Sequence, residues 1–175
     1  GANGAGKSTL VKILTGAVAA SAGTIRIRGT ARRMHSPAEA RRSGLVPVYQ
    51  EPSLIPDLDV AANLRLTGTP VEPFRAFVEE LGVPDLDLSE TARDIPLAIL
   101  RVLDLARALA VKPDVLLLDE MTAALPANLA ERVLEVVRRE ARGGRSVIFI
   151  SHRFVEIAAL CDRATVLRDG QTVGV

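Results

Sequence analysis

Residues 1–9 read GANGAGKST. The spacing G-x-x-x-x-G-K-[ST] brings together what phosphate binding needs. Gly1, Gly4 and Gly6 permit positive-φ turns, so the backbone can close on an anion with its N–H groups pointing inward. Asn3, Ala5 and Thr9 belong to the same run and complete the candidate phosphate cradle. Lys7 offers a positive charge to the β- and γ-phosphates of a nucleoside triphosphate, and Ser8 a hydroxyl to Mg2+. Leu10, Val11, Ile13 and Leu14 follow at helical spacing, which places the anion at a helix N-terminus. The bland alternative is a Gly-rich turn that happens to carry Lys-Ser. The polar residues downstream argue against it.

Three further positions have the right chemistry, and each follows a short apolar run. Gln50 follows LVPVY, Asp119-Glu120 follows VLLL, and Ser151-His152 follows SVIFI. If those runs are parallel strands, their carboxyl ends face the place where ligands bind in open α/β sheets. Asp119 can hold Mg2+ through water opposite Ser8, and Glu120 can poise a water in line with the γ-phosphate. His152 can hold that phosphate or link the water to Glu120. Gln50 can approach the metal or the attacking water with its amide oxygen. These are oxygen donors, which a hard ion prefers. Taken singly, an Asp-Glu pair is often only solvated and a lone His is often structural. It is their order behind Lys7-Ser8 that points to hydrolysis of a nucleotide.

The elements that must position these groups alternate strand and helix, which predicts an α/β fold with a mostly parallel sheet flanked by helices. Residues 24–28 and 45–49 read as strands, the second weakened by Pro47. Ser36-Pro37-Ala38-Glu39 is a capping box, so a short helix runs from there towards Arg42. Asp59 can cap a helix through Leu66. Residues 67–73 are rich in Gly, Pro and Thr and mark a boundary. Phe74, Phe77, Val78 and Leu81 make one apolar helix face. Asp85, Asp87, Glu90 and Asp94 read as a solvated connector rather than a metal site. Pro96 opens an apolar helix to Ala110. Residues 127–142 are a charged helix stopped by Gly143-Gly144. Phe154, Ile157, Ala158 and Cys161 are expected on the inner face of the next helix, and a hairpin turns at Asp169-Gly170. This divides the chain into a core of residues 1–66 and 111–175 and a short helical subdomain of residues 67–110.

Composition bounds the rest. The chain has 175 residues, 48% of them hydrophobic and 25% charged, the balance of a folded domain rather than a disordered one. The formal charge is +1, with 22 basic and 21 acidic residues, so a nucleic acid held by bulk charge is not expected. There is one cysteine, so an internal disulfide is impossible. Such a phosphate loop normally follows a strand that aims it, and none precedes Gly1 here. The expectation is a domain truncated at its N-terminus.

The residues quoted above, with the stretches NGAGKSTLVKILTG, GLVPVYQEPSLIPDLDVAANL and SHRFVEIAALCDRATVLRDGQ, resemble the nucleotide-binding domain of ATP-binding cassette (ABC) transporters. The resemblance is to the carbohydrate-importer branch, of ribose and galactose type, and covers nearly the whole chain. It implies a domain that binds ATP and Mg2+ and hydrolyses ATP to energise import of a sugar-like solute. Gln50 would face a transmembrane permease, Asp119 and Glu120 would be the magnesium and general-base pair, and His152 the switch histidine. The implied partners are a second cassette, the permease and, indirectly, a solute-binding protein. The implied place is the cytoplasmic face of the membrane. One departure stands out. Where the family has a signature like L-S-G-G-Q, residues 95–99 read IPLAI, so Pro96, Leu97 and Ala98 stand in its serine-glycine centre. That keeps open a degenerate nucleotide-binding module with little turnover. A cassette ATPase outside transport is the other alternative.

Overall fold

The structure is a computed structural model that describes residues 4–175. Gly1 and Asn3, expected in the phosphate loop, lie outside the described residues. The centre is a parallel sheet of three strands in the order β3 (Leu45–Val48), β4 (Val115–Asp119), β5 (Ser146–Ile150). Two antiparallel hairpins flank it: β1 (Ile25–Ile27) with β2 (Thr30–Arg32), and β6 (Val166–Arg168) with β7 (Gln171–Gly174). The helices are α1 (Lys7–Leu14), α2 (Pro37–Arg42), α3 (Val60–Thr67), α4 (Val71–Glu80), α5 (Leu97–Ala110), α6 (Ala127–Arg142) and α7 (Phe154–Leu160).

Local signals set most of these boundaries. The Ser36 side chain accepts the Glu39 N–H, and the Glu39 carboxylate accepts the His35 N–H, so α2 starts where the capping box places it. Asp59 caps α3 by accepting the Ala62 N–H. Pro47 is tolerated in β3 for a geometric reason. The Val115 N–H donates to Gly44 O, so alternate residues from Gly44 face β4 and Pro47 faces away. Asp169 and Gly170 have φ of 49 and 76, as a type I′ turn requires.

β4 is buried on both faces, with Leu116, Leu117 and Leu118 fully covered, as its unbroken aliphatic run requires. Helix α6 turns Leu129, Val133, Val136 and Val137 inward and its charges outward. One apolar cluster joins Val48 of β3, Leu64 of α3, Phe74 and Val78 of α4, Leu105 and Leu109 of α5 and Leu116 of β4. The phenylalanines of α4 are therefore packing residues.

Three expectations need correction. Residues 30–32 form a strand that the sequence reading left out, because Thr-Ala-Arg lacks an apolar alternation and is exposed throughout. β5 is half-buried rather than buried, since among the described residues it pairs only with β4. In α7 half of the expected inner face is turned out: Phe154 is 82% exposed and Ala158 is exposed, while Ile157 and Cys161 are half-buried. The buried residue of that helix is Glu156.

Candidate nucleotide site

Gly4 and Gly6 have φ of 87 and 98, and Gly6 is the N-cap of α1. That left-handed backbone is open to glycine and strained for other residues. At Gly6 a Cβ would also stand 3.2 Å from the Cα of Gly170. The hairpin tip lies against the loop here, and the Gly170 N–H donates to Ala5 O at 3.0 Å. Ala5 is buried, whereas Ser8 and Thr9 lie exposed on the first turn of α1.

Lys7 projects to the carboxylate pair that ends β4. Its Nζ is 3.5 Å from Glu120 Oε1, and His152 Nδ1 is 3.6 Å from the same oxygen. One carboxylate oxygen thus faces a cation on one side and an imidazole on the other. Both spacings exceed a direct hydrogen bond. Glu120 has φ of 49, a left-handed conformation that costs a non-glycine residue on the order of 1–2 kcal/mol. Its N–H donates to Ile150 O at 2.9 Å, so the twist is held by β5, whose end carries His152.

Asp119 stands beside this group. Burial raises its carboxyl pKa above the ordinary carboxylate value, and the charge of Glu120 raises it further. Lys7 acts in the opposite sense. Two adjacent carboxylates with one lysine are under-compensated, and such a site gains from an added cation.

Beneath these residues lies a network that the sequence did not announce. The buried Glu156 accepts the Thr122 hydroxyl at 2.8 Å and the Ser151 hydroxyl at 3.0 Å with Oε2. Its Oε1 accepts Arg153 Nη1 at 2.6 Å, and the Arg153 N–H donates to Ser151 Oγ at 3.0 Å. Thr122 is two residues past Glu120, and Ser151 and Arg153 flank His152. A Glu inside an otherwise apolar helix was the only available signal.

Gln50 stands at another strand end. It follows β3, is exposed and lines a hollow with Glu51, Pro52 and the first turns of α5. Pro96 is the N-cap of α5 with no side-chain cap, and Leu97 and Ala98 form its first turn. Behind this, Asp104 of α5 accepts the Ser53 N–H and hydroxyl and pairs with Arg107, all three near or below the surface. The acidic connector behaves as expected: Asp87 accepts the Ser89 N–H and hydroxyl, bonds that hold its carboxyl below the usual range. No group of three metal-ligating side chains occurs among the described residues. Cys161 is half-buried, and burial raises its thiol pKa, followed by the charge of Asp162.

Fold and site together define a nucleotide-binding α/β domain built on a phosphate loop. Comparison with known proteins narrows that class. The ABC transporter family matches residues 1–123, and the chain belongs to that family. It is 39% identical over 185 residues to a ribose import ATP-binding protein RbsA of Rhodococcus jostii, covering 99% of this chain and 37% of that protein. It is 40% identical to a ribose import ATP-binding protein RbsA 1 of Rhizobium johnstonii, covering 99% and 36%. The chain thus spans little more than a third of the length of these curated relatives. Among solved structures, CbiO1 of Clostridium perfringens, part of an ABC transporter complex, superposes with a TM-score of 0.80 at 22% identity, over 99% of this chain and 73% of that one. The ADP conformation of the ATP-binding cassette MJ1267 gives 0.78 at 24%, over 98% and 75%. These likenesses carry the fold.

Proposed function

We propose that the chain is the ATP-binding and hydrolysing part of an importer of a sugar-like solute. The observation that supports this best is the carboxylate of Glu120 set between Lys7 and His152 at the end of a buried strand. A carboxylate so placed can take a proton from a water attacking the γ-phosphate, while Lys7 turns to the phosphate oxygens. Gly4, Ala5, Gly6, Ser8 and Thr9 supply the cradle of N–H groups and hydroxyls. The ribose-import names of the relatives favour a sugar as the solute.

The donor chemistry fits Mg2+. Asp119, whose charge is disfavoured by burial and by Glu120, and the exposed hydroxyl of Ser8 would hold it, with Gln50 the further candidate ligand. When bound, the ion neutralises the charge that develops between the β- and γ-phosphates.

In this reading residues 67–110 form the subdomain that, with the Gln50 loop, faces a transmembrane permease. A second cassette pairs head-to-tail with this one, and a solute-binding protein delivers cargo on the far side. The domain then sits on the inner face of the membrane; no helix among the described residues is long and apolar enough to cross it. A degenerate module with little turnover is the second reading, favoured by Pro96 and Ala98 at the start of α5.

Two substitutions in the protein with its permease decide between them. Glu120→Gln is expected to leave ATP affinity near normal and to cut single-turnover hydrolysis by roughly 10²-fold. Lys7→Ala is expected to weaken Mg-ATP binding by roughly 1.5–3 kcal/mol. Unchanged hydrolysis in Glu120→Gln would move the base elsewhere, and a wild type without turnover would favour the second reading.

A further inference from the structure

Another cavity, of about 240 Å3, lies at the opposite end of the sheet from the nucleotide site. Gly44 and Asp114, the residues just before β3 and β4, stand in its wall with Val46, Val111 and Pro113. From Val115 to Asp119, β4 then runs roughly 13 Å at the rise of a strand. Two cations complete the lining: Arg41, in the last turn of α2, and Lys112, two residues past α5.

Neither of these side chains has a hydrogen bond or an ion pair among the described residues. Arg41 keeps one flank open to solvent, yet burial of its guanidinium lowers its pKa. The charge of Arg107 acts in the same sense, and Asp104 opposes them. Asp104 is already held by Arg107 and Ser53. Asp114 is likewise held by Arg28, from the turn of the β1–β2 hairpin. Both carboxylates that could answer the two cations are thus committed. Residues 24–44 deepen the excess, with six arginines and one glutamate in a chain of formal charge +1. Lys112 also has φ of 51, a left-handed backbone that glycine or asparagine would carry at less cost.

We propose that Arg41 and Lys112 bind a phosphate group, free or as the monoester of a small molecule. This site is distinct from the phosphate loop and goes beyond the ATPase reading. Two uncompensated cations match a phosphate dianion, whereas a single carboxylate would leave one of them unanswered. Val46, Val111 and Pro113 offer an apolar surface to the carbon skeleton of an ester. The volume falls just below the usual range for organic ligands, roughly 300–1,000 Å3, which favours a compact one.

Thermal melts of the protein with Mg-ADP bound, so that the phosphate loop is occupied, test this. The probes are inorganic phosphate, ribose 5-phosphate and, at equal ionic strength, acetate. Both phosphates should raise the melting temperature and acetate should not. Calorimetric titration should show at least about a tenfold loss of affinity for phosphate in Arg41→Gln and in Lys112→Asn. Asparagine suits the left-handed backbone, so Lys112→Asn removes the charge and keeps the turn. A stronger response to ribose 5-phosphate than to inorganic phosphate assigns the apolar wall to an ester, and equal responses assign the site to the phosphate group alone. Stabilisation that persists in both variants overturns the proposal, as does equal stabilisation by acetate. No response to either phosphate also overturns it. In that case, a lower melting temperature in both variants would assign the cations to the C-terminal ends of α2 and α5. Binding of phosphatidylglycerol vesicles would assign them to a lipid surface. A protein that does not bind Mg-ADP counts against the nucleotide reading alone, and the same comparison of wild type and variants is then made without nucleotide.

Discussion

Thr122 and Glu156 are hydrogen-bonded at 2.8 Å across the interior, with the hydroxyl donating to the carboxylate. They lie 34 positions apart. The bond ties the segment that follows Glu120 to the helix that follows His152. Ser151 shares the same carboxylate oxygen, so both sides of the Glu120–His152 contact hang from one buried side chain.

Glu156 should therefore act as a positioning residue. Glu156→Ala leaves the buried Thr122 and Ser151 hydroxyls without their acceptor, which should destabilise the protein by about 1–3 kcal/mol. Single-turnover hydrolysis should fall while ATP affinity holds, and Glu156→Gln, which keeps one acceptor oxygen, should recover part of the rate. Equal losses of rate and affinity would instead describe general damage to the fold. Thermal melts and a binding titration on each variant separate the two.

The Asp104–Arg107 pair lies in the core end of α5, with the loop after Gln50 attached through Ser53. Removing one partner leaves a buried charge, so Asp104→Ala should cost about 3–5 kcal/mol. Replacing both by Leu and Met should be nearly neutral by the same reasoning. Chemical denaturation of the single and double variants checks this. A mild single variant would mean that water already reaches the pair.

Pro96→Ser restores the family residue at the N-cap of α5. A serine there gains about 0.5–2 kcal/mol by capping, and loss of proline rigidity gives back about 0.4–1 kcal/mol. The melting temperature should hardly move. Any change in turnover from Pro96→Ser with Ala98→Gly is then a property of the nucleotide site and not of folding. We expect that change to be small, measured as steady-state hydrolysis in the assembled protein, because in the proposed head-to-tail pairing this signature would face the other cassette's nucleotide rather than Lys7 and Glu120.

Asp119 gives a pH-dependent prediction. Its folded pKa lies above the ordinary value, chiefly through burial. Its protonated form therefore favours the fold at acidic pH, and that contribution is lost as pH rises through the folded pKa. Asp119→Asn should melt higher than wild type without ligand at pH 7.5, and the gap should narrow as pH falls towards about 4. The same variant should bind Mg-ATP more weakly. A gap that is constant with pH would remove burial of the charge as its cause.

What was legible in the sequence was local or repetitive. The loop from Gly4 to Ser8, the caps at Ser36 and Asp59, the aliphatic run before Asp119 and the turn at Asp169-Gly170 each need only neighbouring residues. The contact of Glu120 with Lys7 and His152 followed from chain order together with one rule about parallel sheets. The failures were long-range. The face of α7 was misread at Phe154 and Ala158 because apolar spacing shows that a helix has two faces but not which one meets the core. Here the capture of Glu156 by Thr122 and Ser151 decides it and leaves Phe154 outside. The paired Asp104 and Arg107 and the buried Arg101 were hidden in a helix read only for its leucines. Yet a helix apolar all round must bury whatever charges it carries.

The contact between Gly170 and Ala5 has a consequence for synthesis. The phosphate loop and the turn that leans on it stand at positions 5 and 170, so translation makes them at well-separated times. During translation the loop emerges early but meets its support only when residues around 170 have left the ribosome. Contacts between such distant parts of a chain are slow to form. The ability to hold a nucleotide should thus be acquired only after residue 170 has emerged, so that shorter nascent chains do not sequester ATP.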